Sequence, residues 1–277
     1  MAVRIITDST SDITPEQQKE FGVTVVPLLV RFGQEEFVDG VTLTNEDFYE
    51  RLRHCDTLPT TAQVTPDRFT EVFASIPPED EIVGIFLSSD MSGTYQSACI
   101  ARDLIGRKNI FLVDSRNVTF ALGILVLEAA RLRDAGANGE AIKREVEALI
   151  ERLRFFAVVD MLKYLKMGGR LSSSSALLGT MLRIKPIITC RGGLVDVVEK
   201  RQGRRAALEA IAEKTRLERP NPNHLVVFGD SVAPELTEML KAMTAGLYDP
   251  QLSRTMPLGS VVGTHAGPGC AGIAYFV

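Results

Sequence analysis

Three groups of small polar residues hold most of the chemistry this chain can offer: Thr60-Thr61-Ala62-Gln63, Ser88-Ser89-Asp90-Met91-Ser92-Gly93-Thr94, and Gly263-Thr264-His265-Ala266-Gly267-Pro268-Gly269. Hydroxyls, backbone N–H groups and one imidazole can hold a carboxylate or phosphate without making or breaking a bond. A nucleophile with its base would need more. Ser92 lacks the first glycine of a GxSxG elbow, and no acid stands near His265 to orient its ring. Neither a GxxxxGK[ST] loop nor a GxGxxG after a strand is present, so nucleotide binding by this chain alone has little support. Ser92-Gly93-Thr94 opens a helical pattern and suits anion capture by N–H groups and hydroxyls, or simply caps that helix. His265 is read as lying between a short strand, Val261-Val262, and a Gly-Pro-Gly loop that lets backbone approach a ligand. Local backbone could satisfy its ring instead. His54 and His224 read as surface residues. Gly168-Gly169-Arg170 puts an arginine on a turn, and Lys200-Arg201 with Arg204-Arg205 forms a second basic group; these suit phosphate or acidic partners, or a solvated face.

Placing these groups requires the elements around them. Val3 to Thr7 is a β-branched run ending in Asp8-Ser9, and Thr14-Pro15-Glu16-Gln17 is an N-cap with proline at the first helical position. Val23 to Phe32 reads as one strand, Asn45 to Leu52 as a helix with Phe48, Tyr49 and Leu52 on one face, and a third helix opens at Thr65. Ile82 to Leu87 and Ile110 to Val113 are strands on either side of a helix from Thr94 to Ile105. Such alternation implies a parallel sheet with right-handed crossovers, which would gather Asp8-Ser9, Ser88-Ser89 and Asp114-Ser115 along one carboxyl rim. Two long helices follow, Leu122 to Ala135 and Gly139 to Leu153. After them the pattern changes: Phe155 to Val159 is a strand, Met161 to Met167 and Ser175 to Met181 are short helices, and Gly192-Gly193 turns Lys185–Cys190 into Leu194–Val198 as a hairpin. The remainder reads as helix, strand, helix and a closing strand from Ala271. The chain is therefore read as α/β in two domains, a three-layer α/β/α unit with a parallel sheet over residues 1–154 and a two-layer α/β unit with a mixed sheet over 155–277.

Bulk properties narrow the partners. The 277 residues are 45% hydrophobic and 24% charged with a formal net charge of -4, which gives no electrostatic reason to expect nucleic acid. The apolar run from Val118 to Leu127 ends at Glu128, too short to cross a bilayer, and the start reads as a strand rather than a signal peptide, so a soluble cytoplasmic protein without stable membrane insertion is expected. Cys55, Cys99, Cys190 and Cys270 form no CxxC pair and have no histidine at zinc-ligand spacing, which suggests neither a metal site nor a disulfide framework. No cofactor is expected.

Taken in order, Ile6-Thr7-Asp8-Ser9-Thr10-Ser11-Asp12, Thr60-Thr61-Ala62-Gln63, Ser88 to Tyr95, Val113-Asp114-Ser115, Leu165 to Ser172, Ile184-Lys185-Pro186-Ile187 and Gly263 to Gly269 resemble the DegV family across nearly the whole chain. That family includes the fatty-acid-binding subunit of the bacterial fatty acid kinase. The resemblance implies a long-chain fatty acid in an interdomain tunnel, its carboxylate presented to a separate ATP-dependent kinase subunit that makes the acyl phosphate. It implies Thr61, Ser92 and His265 as carboxylate ligands, Gly93 and Thr94 as supporting groups, Arg170 and Arg201 as partner or phosphate contacts, and no catalytic residue in this chain. Arg170 is expected on a turn away from the carboxylate ligands. The chain departs from the family's Thr-Ser-Gln-Pro motif at Ala62 and Val64. Residues 176–182 and 120–126 are the candidate tunnel walls. The alternative is a stand-alone enzyme or sensor acting on a small carboxylated or phosphorylated metabolite.

Overall fold

The computed structural model describes residues 2–172 and 183–277. The helix expected at Ser175 to Met181, and with it the proposed wall over 176–182, lies outside the described residues. Strand β1 (Val3–Asp8) alternates as a pleat must: Ile5 packs on one face with Val83 and Ile85 of β6 (Glu81–Phe86), and Ile6 on the other with Ile82 and Phe86. Both faces are apolar because both are covered. With β2 (Val23–Val26) and β7 (Ile110–Asp114) these strands form a parallel sheet in the order β2-β1-β6-β7. Helices α1 (Pro15–Phe21), α5 (Phe120–Asp134) and α6 (Gly139–Arg152) pack on the Ile5 face. Helices α2 (Asn45–His54), α3 (Pro66–Ala74) and α4 (Thr94–Ile105) pack on the Ile6 face. The expected start of α1 is present in full, a capping box in which Thr14 and Gln17 satisfy each other's backbone N–H.

The single strand expected over Val23 to Phe32 is two. Pro27 offers no N–H to a ladder, so the chain leaves the parallel sheet there, and β3 (Leu29–Phe32) starts a separate sheet. Its order is β4-β3-β5, antiparallel throughout, with β4 (Glu35–Val38) reached across the Gly33 turn and β5 (Thr60–Ala62) bringing Thr61 alongside Val30.

The second half builds a six-stranded mixed sheet, ordered β10 (Leu194–Gln202), β9 (Ile184–Arg191), β8 (Leu153–Val158), β13 (Ala271–Phe276), β11 (Val226–Asp230), β12 (Ser253–Pro257), in which only β11 and β12 run parallel. The outer face of this sheet is covered by α8 (Arg204–Leu217) and α9 (Pro234–Met243), through Leu208, Ile211, Leu236 and Leu240. Its inner face, with Phe155, Ala157, Val227 and Ala274, joins the core around α5. That helix is consequently buried without a break from Phe120 to Ala130, as a helix apolar on all sides must be. Glu128 interrupts the apolar run and is buried all the same. Its carboxylate accepts hydrogen bonds from the Leu225 N–H at 2.7 Å and from Arg131 at 2.9 Å, and His224 stands 3.5 Å away. His224, expected at the surface, is thus mostly buried between Glu128 and Phe276.

Val261-Val262 is not a strand. It belongs to a helix, α10 (Ser260–Ala266), whose first N–H groups are taken by carboxylates from the other half of the chain: Asp12 accepts from Gly259 N at 2.9 Å and Asp39 from Ser260 N at 3.2 Å. Those partners lie more than 200 residues away, so local sequence could not announce the helix. The last described element in this region, α7 (Lys163–Gly168), is closed by Gly169 in a left-handed conformation at φ +71°, as the Gly-Gly pair suggests.

Candidate functional site

A cavity of about 350 Å³ lies between α5, α10 and the inner face of the mixed sheet. Apolar side chains make most of its described wall, among them Leu87, Met91, Val118, Phe120, Phe155, Ile188, Val195 and Val262. Thr61, Gln63, Ser92, Gly93, Arg170 and His265 also contribute to it, and contacts among their own elements draw them together. Thr61 Oγ1 is 3.0 Å from His265 Nε2, so β5 and the end of α10 meet there. Gly168 of α7 packs against the other side of the same ring, where a Cβ would stand 2.2 Å from Nδ1. The Arg170 Nε–H donates to Met91 O at 3.0 Å, which ties α7 to the Ser92 loop. Gly93 lets Gln63 lie close: a Cβ would come within 2.2 Å of Gln63 Oε1 and displace its side chain, whose amide donates to Ser97 Oγ at 3.1 Å.

Electrostatically the site is a weak base beside a fixed cation. Burial pushes the His265 imidazole down to about 4, and the neighbouring Arg170 guanidinium pushes in the same direction, so the ring is neutral at physiological pH. Its Nδ1 is buried without a hydrogen-bond partner among the described residues. Arg170 is the only permanently charged residue on the described wall. The hydrogen bonds it makes to Met91 O and Gly168 O fix its direction with partners that carry no formal charge. Such an arrangement can hold one carboxylate by charge and neutral donors. Ser92 Oγ is 3.0 Å from Thr94 Oγ1 rather than from a histidine, and the hydroxyl that stands beside an imidazole is that of Thr61.

Thr61, Ser92, Gly93 and His265 therefore stand on one wall. Thr94 does not reach it: fully buried, it backs Ser92 through the hydroxyl contact and lies behind the site. Arg170 departs from its expected place, because it stands on the cavity wall beside His265 and not on a turn apart from it. Arg201 is elsewhere. It sits on the edge strand β10 opposite Lys185, ion-paired with Glu199, which also takes Lys214 at 2.8 Å. The segment from Phe120 contributes that residue to the wall. Gln63, a further member of the first polar group, also lines the wall. Its place two residues beyond Thr61 was the available signal, because alternate residues of an extended chain share a face. The rim expected at the carboxyl edge of the parallel sheet is present, with Asp8 accepting from Leu87 N at 2.9 Å and Ser89 bonded to Asp114.

A family model described as "Uncharacterised protein, DegV family" matches residues 2–277. The chain belongs to the DegV family. A DegV domain-containing protein of Caldanaerobacter subterraneus subsp. tengcongensis is 37% identical over 277 residues, covering 99% of this chain and 98% of that protein. Among solved structures, the DegV protein from Thermus thermophilus, described by its fatty acid binding, superposes with a TM-score of 0.91 at 30% identity, covering 100% of both chains. DegV from Bacillus subtilis, described as a fatty acid binding protein, gives a TM-score of 0.84 at 30% identity, again over 100% of both. The fold of this DegV chain is thus the α/β architecture of those proteins, with a parallel and a mixed sheet.

Proposed function

We propose that this protein binds a long-chain fatty acid in the cavity and presents its carboxylate to a separate ATP-dependent kinase subunit that forms the acyl phosphate. One observation carries the reading: an apolar cavity whose only permanent charge on the described wall, Arg170, stands beside neutral donors at Thr61, Ser92 and His265. The fatty acid binding named for the Thermus and Bacillus relatives supports it. In this reading Arg170 and the N–H and hydroxyl groups of Ser92 and Gly93 hold the carboxylate, Thr61 and His265 complete the cradle, and Thr94 holds Ser92. The chain itself performs no catalysis and needs no cofactor. We place the division between its two domains at residues 154/155, where α6 has just passed into β8. Four free thiols suit a cytoplasmic protein, and no described helix is long and apolar enough to cross a membrane.

Burying an acyl chain contributes roughly 0.8 kcal/mol per methylene, enough for the ligand to survive purification. Mass spectrometry of a lipid extract of the purified protein is expected to show a long-chain fatty acid in near-stoichiometric amount. An extract without acyl chains, together with no binding on titration, would defeat the reading.

The partner surface is assigned to the basic group around Arg201, Lys185 and Arg204, outside the cavity wall. Asp160 draws Lys185 and Arg204 together at 2.7 and 2.9 Å. Arg201→Ala should leave fatty acid affinity at the wild-type value and lower acyl phosphate formation with the kinase subunit, because charges outside the binding site act on encounter and orientation. Equal loss of fatty acid binding would move Arg201 into the ligand site, and unchanged coupled activity would make the group an ordinary solvated face.

A further inference from the structure

We propose that Phe120, wedged against Gly229, is the stop that sets how long an acyl chain the cavity accepts, an inference that rests on the fatty acid reading above. The carboxylate end is fixed by His265 on the last turn of α10. From there to Ser260 the helix axis runs about 8 Å at 1.5 Å per residue, with Val261 and Val262 on the cavity wall. Beyond Ser260 the wall continues with Leu258, whose N–H donates to Asp230 O at 2.8 Å and so sits at the carboxyl end of β11. Gly229, the neighbouring residue on β11, also faces the cavity. On this wall α10, β11 and the start of α5 converge.

Phe120 occupies that convergence. Its ring is almost fully buried and meets Phe155 edge-on at 5.1 Å between centroids. A Cβ on Gly229 would stand 2.2 Å from Phe120 Cδ1 and 2.8 Å from Met256 O, so the ring lies directly on strand backbone and cannot retreat toward β11. A chain reaching this point meets an aromatic ring that is backed on two sides.

The same end is built to be apolar although two threonines line it. Thr10 Oγ1 donates to Asp8 at 2.6 Å, and Thr119 Oγ1 donates to Asp12 at 2.6 Å, so both hydroxyls are committed to buried carboxylates. An ionised head group finds no free donor from them there, and a methyl terminus finds an apolar seat. Thr119 adopts φ +57° and ψ -149°, a backbone region that a β-branched residue seldom occupies. It is the residue immediately before Phe120, and its N–H is held by Thr10 O at 2.7 Å. The strained link fixes where the ring begins.

The test is a titration of the delipidated full chain with saturated fatty acids from ten to twenty-two carbons. Wild-type affinity should rise with each methylene until the terminus reaches Phe120, and then fall. In Phe120→Ala that break should move outward by about two carbons or more, with roughly a tenfold gain for the first chain beyond the wild-type limit. Should this variant fail to fold, Phe120→Leu carries the same series with a smaller shift in the same direction. A break at an unchanged length in the folded variant, or a wild-type profile with no break, overturns the role of Phe120. A wild-type protein that binds no fatty acid of any length defeats instead the reading on which it rests.

Discussion

Arg170→Ala is expected to weaken fatty acid binding roughly 10- to 150-fold while the protein stays folded, since a hydrogen bond to a charged group is worth about 1.5 to 3 kcal/mol. Arg170 carries the permanent charge of the described cavity wall, so its loss leaves a buried carboxylate with neutral donors alone. Titration calorimetry on delipidated protein reads the effect, and an unaltered thermal transition excludes a folding defect. His265 supplies an internal control. The guanidinium contributes to holding its imidazole down to about 4, after burial itself, so the variant's ring should titrate somewhat higher when followed by NMR. An Arg170→Ala protein with wild-type affinity would place the carboxylate elsewhere in the cavity.

Glu128→Ala should destabilise the fold by about 3 kcal/mol, measured by denaturant unfolding. The substitution leaves the buried Leu225 N–H without an acceptor and removes the partner of Arg131 and His224. Burial works to raise the Glu128 carboxyl, but hydrogen bonds from His224 and Leu225 and the Arg131 charge outweigh it, and the net shift is downward from 4.5. A carboxyl held lower in the folded than in the unfolded chain contributes stability that is present above the unfolded value and lost as the pH falls through the folded one. The gap between wild type and variant should accordingly be constant near neutrality and narrow as the pH drops below 4.5. A gap that widens on acidification would mean that Glu128 is held protonated.

Legibility in the sequence followed the range of the interactions involved. The parallel sheet could be read because each strand is a short apolar run and three of its helices carry their own caps, Thr14, Thr44 and Thr65. Glu128 looked like the end of an apolar run because its partners, Leu225 and His224, lie almost 100 residues on. The strand read at Val261-Val262 erred for the same reason: α10 depends on Asp12 and Asp39. The break at Pro27, by contrast, had a local signal that the apolar run concealed. In the site, residue type pointed to Thr61, Ser92 and His265. Arg170 was misplaced because only packing of α7 against the Ser92 loop turns its side chain inward. Chain composition holds no trace of that turn.

The caps of α10 also bear on the order in which the protein folds. Seven residues are too few to hold a helix in water, so α10 has no stable existence before Asp12 and Asp39 are in position. Both acids lie more than 200 residues before the helix they hold. His265 can reach Thr61 only after the chain between them has been made and the two brought together, a closure over 204 residues. A half-folded chain thus lacks the Thr61–His265 pairing, and on the proposed reading lipid capture belongs to the folded molecule alone.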